Sequence, residues 1–545
     1  MGGLRIRRTC YGGGKFEDPR DRMTEQTDKS RNWHPILLWA TLILGAVLRL
    51  AALGTVPGGL NSDEASSGVE ALSILQTGAD LWGNRLPVWF PAWGSGMNAL
   101  YTYIAVPVIW LFGLSTVTLR AVGAVFGILT LPVAYVATRL HFGRDTALVT
   151  TFLLAALPWH VMASRWALDS NLAPLFFTLG LYTLGRALKD GGRWPLLAFL
   201  PWAVAIYAYP VVIYAIVPAS VGIIAFNWRQ MLAGWKPWLG GIVIAKLVAL
   251  PFGLFLIKNY LLHTPHMAIE SALPFSVPAL AATRLSQIGQ SFAVTVFNNL
   301  TFLAGGYRDE AIWHQSRFFL PLTGAAPLLT LAGAGLLARD AFKTRRPNIV
   351  LIVAAAVVFP VLLLPLQLTR LNWFLIPSLM LAAWFLTSLP NGLRRTALAA
   401  SAIYLALFLA PFYAYYFTSY NQEATVLDLK LGNGFRLGLE EALRTETALA
   451  QPGEPVYLAV GEPQPYLYPL FYGLGSVADF QATRRMSVVD GMFKVSSFGR
   501  FVFEKEALPA GESFVFVTLA TALPCAAPEA LQAGPVWATG RCSNP

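Results

Sequence analysis

The sequence predicts a polytopic α-helical membrane protein with a small α/β domain at its C-terminal end. Three observations carry that expectation. Hydrophobic residues fill 55% of the 545 positions and charged residues only 13%, with a mean hydropathy of +0.54, well outside the composition of a soluble domain. The apolar residues gather into runs long enough to cross about 30 Å of hydrocarbon. Many of the 17 tryptophans sit near the ends of those runs, where an amphipathic ring favours the bilayer interface.

The formal net charge of +11 raises the question of nucleic acid. Lys and Arg are spread over short loops between apolar runs rather than gathered on one polar surface, so no nucleic-acid partner is expected. Positive loops of this kind are topology signals, and the expected partner is the membrane lipid itself.

Residues 1–35 are polar, Gly-rich and mixed in charge, which reads as a disordered cytoplasmic tail, with Met23 as an internal candidate start. The first apolar run is too long and too far along the chain for a cleaved signal peptide. Spanning runs follow at 36–54, 118–140, 146–163, 172–188, 194–209, 210–226, 237–256, 319–338, 348–367, 371–389 and 395–414, about eleven in all by the length criterion. A further stretch, 97–114 (MNALYTYIAVPVIWLFGL), is shorter and contains Pro107.

Charge decides whether that stretch crosses. Arg5, Arg7, Arg8 and Arg31 place the N-terminus in the cytoplasm, so the segment around Asp63 emerges on the far side. If 97–114 crossed, the basic loops 141–145, 188–193, 227–236, 338–346 and 391–395 would all face outward. If it lies along the outer interface, all of them turn cytoplasmic, and that topology is expected. The loop SRWALDSN (164–171), the connection from about 250 to 318, QLTRLNW (367–373) and everything after 414 then share the outer side with Asp63.

Residues 415–545 change character. EPVYLAVGE (454–462) and ESFVFVTLA (512–520) read as short buried strands, and LEEALRTETALA (439–450) has helical spacing. The chain thus divides into a tail at 1–35, a transmembrane domain at 36–414 and an extracytoplasmic α/β domain at 415–545. Of the three cysteines, Cys525 and Cys542 would form one disulfide in an oxidising compartment. No fixed-period repeat or low-complexity tract is present.

Within so apolar a chain, DEASSGVEALSILQ (63–76) sets two carboxylates side by side. The apolar spacing predicts a helix with Ser62 as N-cap and Gly78 as its stop, and acids in a first helical turn are stabilising without any catalytic role. Asp169 sits in a very short loop between two spans, where an ionised group against hydrocarbon is costly and marks a functional candidate. It is also placed to cap the next helix or to pair with Arg165.

Asp63–Glu64 after the first span, Asp169 in SRWALDSN before LAPLFF, and the basic residue in TRLNWFLIPSLMLAAW together resemble the GT-C glycosyltransferases of the protein O-mannosyltransferase and aminoarabinose transferase type, glycosyltransferase family 39. The resemblance covers residues 36–230 and, by architecture, the rest. It implies a GT-C fold and the transfer of a sugar from a polyprenyl-phosphate carrier to a protein, lipid or glycan acceptor outside the cytoplasmic (inner) membrane. It further implies that Asp63, Glu64 and Asp169 are the functional acids. Two departures stand out: the stretch GSGMNALYTY has no cation where many members have Lys or His before Pro-Pro-Leu, and Arg370 is followed by Leu371 rather than Tyr.

The chemistry fits the parts. A phosphate is a good leaving group and needs no general acid, unlike the leaving oxygen of a glycosidase. One base suffices, and Asp63 is expected to take the acceptor proton with inversion at the anomeric carbon. Glu64 and Asp169 would position the acceptor or offset oxocarbenium charge. Arg370 is the expected phosphate ligand, its planar fork suiting phosphate oxygens, with Lys258, Arg165, His263 and His266 as further candidates. No required cofactor is expected and no protein-ligated metal, since the spacing of His160, Asp169, His263 and His266 matches no metal motif. Tyr207, Tyr209 and YAYYFTSY (413–420) read first as an aromatic belt and second as sugar-stacking platforms. A transporter or flippase of a lipid-linked glycan is the rival from another class; it would place its ionisable groups near the midplane of repeated halves. A polysaccharide polymerase or ligase is the rival within related chemistry.

Overall fold

The structure, a computed structural model, describes residues 33–92, 96–280, 292–304, 326–431, 434–489 and 492–544. Nearly all of the expected cytoplasmic tail therefore lies outside the described residues. Helix α1 spans Trp33–Leu50, α2 Ser62–Thr77, α3 Leu100–Phe112, α4 Thr116–Phe142, α5 Arg144–Ala156, α6 Pro158–Ala163, α7 Ala173–Asp190, α8 Leu200–Ala208, α9 Ile213–Ala233 and α10 Trp235–Leu256. The second half adds α11 Phe292–Ala304, α12 Ala326–Thr344, α13 Ile349–Ala356, α14 Val358–Leu363, α15 Leu368–Ser388 and α16 Asn391–Thr418. Six helices among the described residues are long and apolar enough to cross a membrane, and four shorter apolar ones accompany them. The protein is a multi-pass membrane protein.

One expected run is broken, and proline explains where. Residues 146–163 divide at Leu157, which is extended (φ −70°, ψ 132°) because Pro158 follows it and opens α6. The boundary expected between runs 194–209 and 210–226 is kept, Tyr209 being likewise extended ahead of Pro210 (φ −158°, ψ 107°). The connection after α10, which no expected span covers, holds the apolar helix α11. That helix is tied to the end of α14 by Asn299, whose Nδ2 donates to the Val361 and Leu364 carbonyls at 2.6 and 2.7 Å.

Contacts sort the helix ends into two sets. At one end, His34 lies 3.2 Å from the Arg144 carbonyl, Thr146 2.8 Å from Thr387, and Gln230 donates to the Leu188 carbonyl at 2.5 Å. The basic loops 141–145, 188–193, 227–236 and 391–395 thus lie together. Helix α12 runs alongside α15 in the same direction, with Thr330 Oγ1 on the Ser378 carbonyl at 3.1 Å and Gly333 against Leu381, so the basic segment 338–346 ends there too. This is the grouping that the charge pattern requires.

At the other end, Arg165 donates to the carbonyls of Leu48, Arg49, Ala52 and Val56 at 2.8–3.2 Å, joining the exit of α1 to the 164–171 loop. Helix α3 starts and finishes at this end. Asn98, just before it, bonds to Asp169, while Leu114, just after it, packs on Gly68 of α2, and Val117 on Gly54. Residues 97–114 therefore do not cross.

The C-terminal domain starts beyond α16 with α17 (Tyr420–Leu431) and α18 (Leu439–Leu449). Two short strands lie in the first loop, β1 (Trp89–Phe90) and β2 (Met97–Asn98), and the domain adds β3 (Val456–Ala459), β4 (Arg485–Val489), β5 (Met492–Phe498), β6 (Phe501–Val502), β7 (Ser513–Leu519), β8 (Glu529–Ala533) and β9 (Trp537–Ser543). The seven strands β3–β9 form one sheet in the order β4-β5-β6-β3-β7-β9-β8, with β3 parallel to both β6 and β7. Central β3 and β7 bury Val456, Leu458, Val515 and Val517 on one face, and β7 also buries Phe514, Phe516 and Thr518 on the other, as a strand covered on both faces does. Cys525 and Cys542 are disulfide-bonded.

The domain sits on the first loop. Trp82 packs 4.3 Å from the Phe493 ring, Gln481 Nε2 donates to the Asp80 carbonyl at 3.3 Å, and Asn421 bonds to both Gly58 N–H and the Thr55 carbonyl. Gly59 has φ +84°, and a Cβ there would lie 1.9 Å from the Phe435 carbonyl oxygen, so this close approach requires glycine.

Candidate active site

Local capping explains how Asp63 and Glu64 come to differ. Asn61, rather than Ser62, caps α2: its side chain accepts from the Asp63 N–H at 2.9 Å, and Glu64 Oε2 accepts from the Asn61 N–H at 3.1 Å. This reciprocal box turns Glu64 inward. There Arg120 of α4 grips both carboxylate oxygens at 2.7 Å, with both side chains fully buried. Glu64 Oε1 also accepts from the Ala167 N–H at 2.8 Å, and Arg120 donates to the carbonyls of Pro57 and Gly59 at 2.6 and 2.8 Å.

Glu64, expected to position the acceptor or offset developing charge, is placed apart from Asp63. Its carboxylate is engaged by Arg120, Asn61 and Ala167, and it does not line the cavity beside Asp63. It locks segment 57–64 to α4 and to the 164–171 loop. A bidentate buried pair of this kind is strong while whole and destabilising by about 3–5 kcal/mol when one partner is removed.

Asp63 instead lines a cavity of about 160 Å³ together with Ser67, Met97, Trp166, Leu168, Asp169, Ser170, Tyr209, Gln367, Thr369 and Arg370. The break before Pro210 brings Tyr209 to this cavity, while Tyr207 is used between helices, donating to the Val248 carbonyl at 2.7 Å. Asp169 is 7% exposed and accepts from the Asn98 N–H at 3.2 Å, from Asn98 Nδ2, and from the Ser170 N–H at 2.6 Å. The 169–172 turn is fixed from the opposite wall by Asn372, which donates to the Ser170 carbonyl at 2.8 Å. Arg370 lies in the first turn of α15 after the extended Gln367, and its guanidinium donates to the Pro365 carbonyl. Gln367, Thr369 and Arg370 thus present a helix N-terminus and a cation to one cavity, a combination suited to an anion.

The remaining predicted cations lie elsewhere. Arg165, expected as a further phosphate ligand, is fully buried, spends its guanidinium on four backbone carbonyls that join helix ends, and stacks 5.1 Å over the Phe417 ring. His263 is exposed and lines neither cavity. Lys258 is buried, donates to the Val277 carbonyl at 2.6 Å and pairs with Glu270 at 2.5 Å. With Arg85 and His266 it lines a second cavity of about 680 Å³ that shares no lining residue with the first.

Arg120 and Asn98 escaped the sequence reading. Arg120 carried a usable signal, being a cation inside an apolar run, where a charge is costly and demands a partner. Asn98 carried none, because its role depends on the β1–β2 pairing, in which Asn98 lies opposite Trp89.

Residues 99–255 match the family model of the dolichyl-phosphate-mannose-protein mannosyltransferases. No curated protein matches the sequence. Among solved structures, ArnT from Cupriavidus metallidurans bound to undecaprenyl phosphate is 16% identical, with a TM-score of 0.57 over 94% of this chain and 98% of that one. The same protein in its apo state gives 14% and 0.53. The archaeal oligosaccharyltransferase AglB from Archaeoglobus fulgidus, in complex with an inhibitory peptide and a dolichol-phosphate, is 15% identical with a TM-score of 0.49, and the chain spans 64% of its length. The chain has the GT-C glycosyltransferase fold, and its segment 99–255 is similar in sequence to the mannosyltransferases of that class.

Proposed function

We propose that the protein is a membrane glycosyltransferase that moves a sugar from a polyprenyl-phosphate carrier to an acceptor hydroxyl at the extracytoplasmic face of the cytoplasmic membrane. One observation carries the reading: two acids and an arginine from segments 106 and 201 residues apart in sequence, Asp63, Asp169 and Arg370, line one small cavity at the helix ends opposite the basic loops. The positive-inside bias puts those basic loops in the cytoplasm, and the Cys525–Cys542 disulfide suits a C-terminal domain outside it. The fold it shares with ArnT, described as bound to undecaprenyl phosphate, supports a polyprenyl-phosphate donor.

In this mechanism the acceptor hydroxyl lies against Asp63, which takes its proton as the oxygen attacks the anomeric carbon. The bond from that carbon to the carrier phosphate oxygen breaks, and the electron pair leaves with the phosphate. Arg370 and the N-terminus of α15 hold the phosphate as its charge grows. Asp169 faces the sugar and offsets positive charge on the ring. Attack and departure on opposite faces of the carbon invert it. The reaction calls for no cofactor, because the leaving phosphate needs neither an acid nor an electron sink. The acceptor is a protein, lipid or glycan hydroxyl.

The test is transfer by the purified full-length protein in nanodiscs, supplied with polyprenyl-phosphate sugars and membrane extract from cells lacking the gene, with products read by mass spectrometry. The reading predicts a hexose- or pentose-sized mass increment on an acceptor. Movement of lipid-linked glycan between leaflets without any new glycosidic bond would replace it with the flippase reading.

A further inference from the structure

The two acids of the cavity are held by unlike means, and the segment between them explains how. Strands β1 and β2 form a two-stranded ribbon between α2 and α3, with Phe90 opposite Met97 and Trp89 opposite Asn98. Met97 lines the cavity and its sulfur lies 3.6 Å from Ser67 Oγ, one helical turn beyond Asp63. The next residue, Asn98, is 1% exposed and directs both its backbone N–H and its side-chain Nδ2 to the same oxygen of Asp169. One strand thus touches the α2 wall with one residue and the 169–172 turn with the next.

We propose that Asn98 is a positioning residue of this site, holding the Asp169 carboxylate at the cavity wall as an anion. The inference rests on the transferase reading above. Three N–H groups converge on the Asp169 carboxylate, two from Asn98 and one from Ser170, and donors in that number favour the charged form of a carboxylate. The amide orientation is fixed by the same contact: reversed, Asn98 Oδ1 would face a carboxylate oxygen. As oriented, Oδ1 is buried with no hydrogen-bond partner among the described residues, a cost that a chain keeps only where the other end of the amide is needed.

Among the described residues, the charged and titratable groups that line the cavity with Asp169 are Asp63 from α2, Tyr209 from the end of α8 and Arg370 from α15, and the Glu64–Arg120 pair stands behind Ala167. None of them is altered by a substitution at Asn98. Asn98→Ala removes one donor and leaves the backbone contact. It should lower kcat roughly 10- to 100-fold, as expected for a misplaced group in a reacting site, while the KM for carrier stays within about twofold. Asn98→Asp sets a second carboxylate against Asp169. One of the two then resists ionisation, so the acidic limb of kcat/KM should move to higher pH by about one unit or more.

Wild-type kcat in Asn98→Ala, or an unmoved acidic limb in Asn98→Asp, overturns the proposal. A cycle of unfolding midpoints for wild type, Asn98→Ala, Asp169→Asn and the double variant tests the link without any transfer. Coupling predicts that the double variant loses less than the sum of the single losses, and additive losses overturn the proposal. A wild-type protein that transfers nothing removes the transferase reading, and the cycle still decides whether Asn98 holds Asp169.

Discussion

The two ends of the helical body are built differently. At the basic end, helices meet through short turns that start at glycines: α4 stops at Gly143 and α7 at Gly191, each with a positive φ. At the other end helices are interrupted early, at Leu157, at Tyr209 and before Gln367, and polar side chains from distant segments fill the gaps. Arginines show the contrast within that end itself. Arg49, Arg120 and Arg165 are fully buried and spent on carbonyls or on Glu64, whereas Arg370 is half-buried at a cavity wall. Most of the buried cations serve as fasteners, and a place in the same cavity as Asp63 and Asp169 singles out the one proposed to meet substrate.

The largest effect should come from breaking a fastener. Arg120→Met strands the Glu64 carboxylate in a dry site and should cost about 3–5 kcal/mol, seen as lost folded protein in detergent size-exclusion runs. Pairing it with Glu64→Gln should recover part of that loss. A stable Arg120→Met variant would return Glu64 to the list of groups available to substrate. Next in size is the phosphate ligand. Arg370→Leu should raise donor KM or lower kcat by about 10²-fold, on the scale of losing one preorganised charge-stabilising donor, with the unfolding midpoint little changed. The same readout on Lys258→Leu distinguishes the two cavities, since a larger loss there would move the phosphate to the second one.

A cysteine pair sharpens the comparison of ends directly. In a variant lacking Cys10, Gln76→Cys should react with an impermeant maleimide on intact cells, and Lys189→Cys only after lysis; both positions are exposed. The reverse pattern would invert the membrane orientation. The smallest effect concerns Glu70, whose carboxyl is pushed well above the usual carboxylate range by burial and, next, by the Asp80 carboxylate. A folded state that holds this proton more tightly than the unfolded chain is favoured below the ordinary value of 4.5 and loses that advantage as pH rises toward the raised value. Glu70→Gln should therefore flatten the fall in thermal stability as pH rises above 4.5. An unchanged slope would show that Glu70 is ionised in the fold.

Much of this was legible in the sequence, for reasons that can be named. The end assignment followed from where Lys and Arg fall, because loop charge and crossing number must agree, and Asn98 and Leu114 at the two ends of α3 meet the same end of the body. Asp63 and Asp169 were visible because acids are rare beside apolar runs. The strands at 454–462 and 512–520 were visible as short apolar runs, and β3 and β7 are neighbours in the sheet. What was hidden depended on partners distant in sequence. Glu64 looked like the twin of Asp63 until Arg120, 56 residues on, took its charge. Arg165 looked free until the end of α1 supplied carbonyls.

The most direct test of the central claim is the turnover of Asp63→Asn in nanodiscs with a donor that the wild type uses. The account predicts a folded protein, a donor KM near that of wild type and a kcat lowered by about 10² or more, the contribution of a positioned general base. Transfer at the wild-type rate by that variant would contradict it.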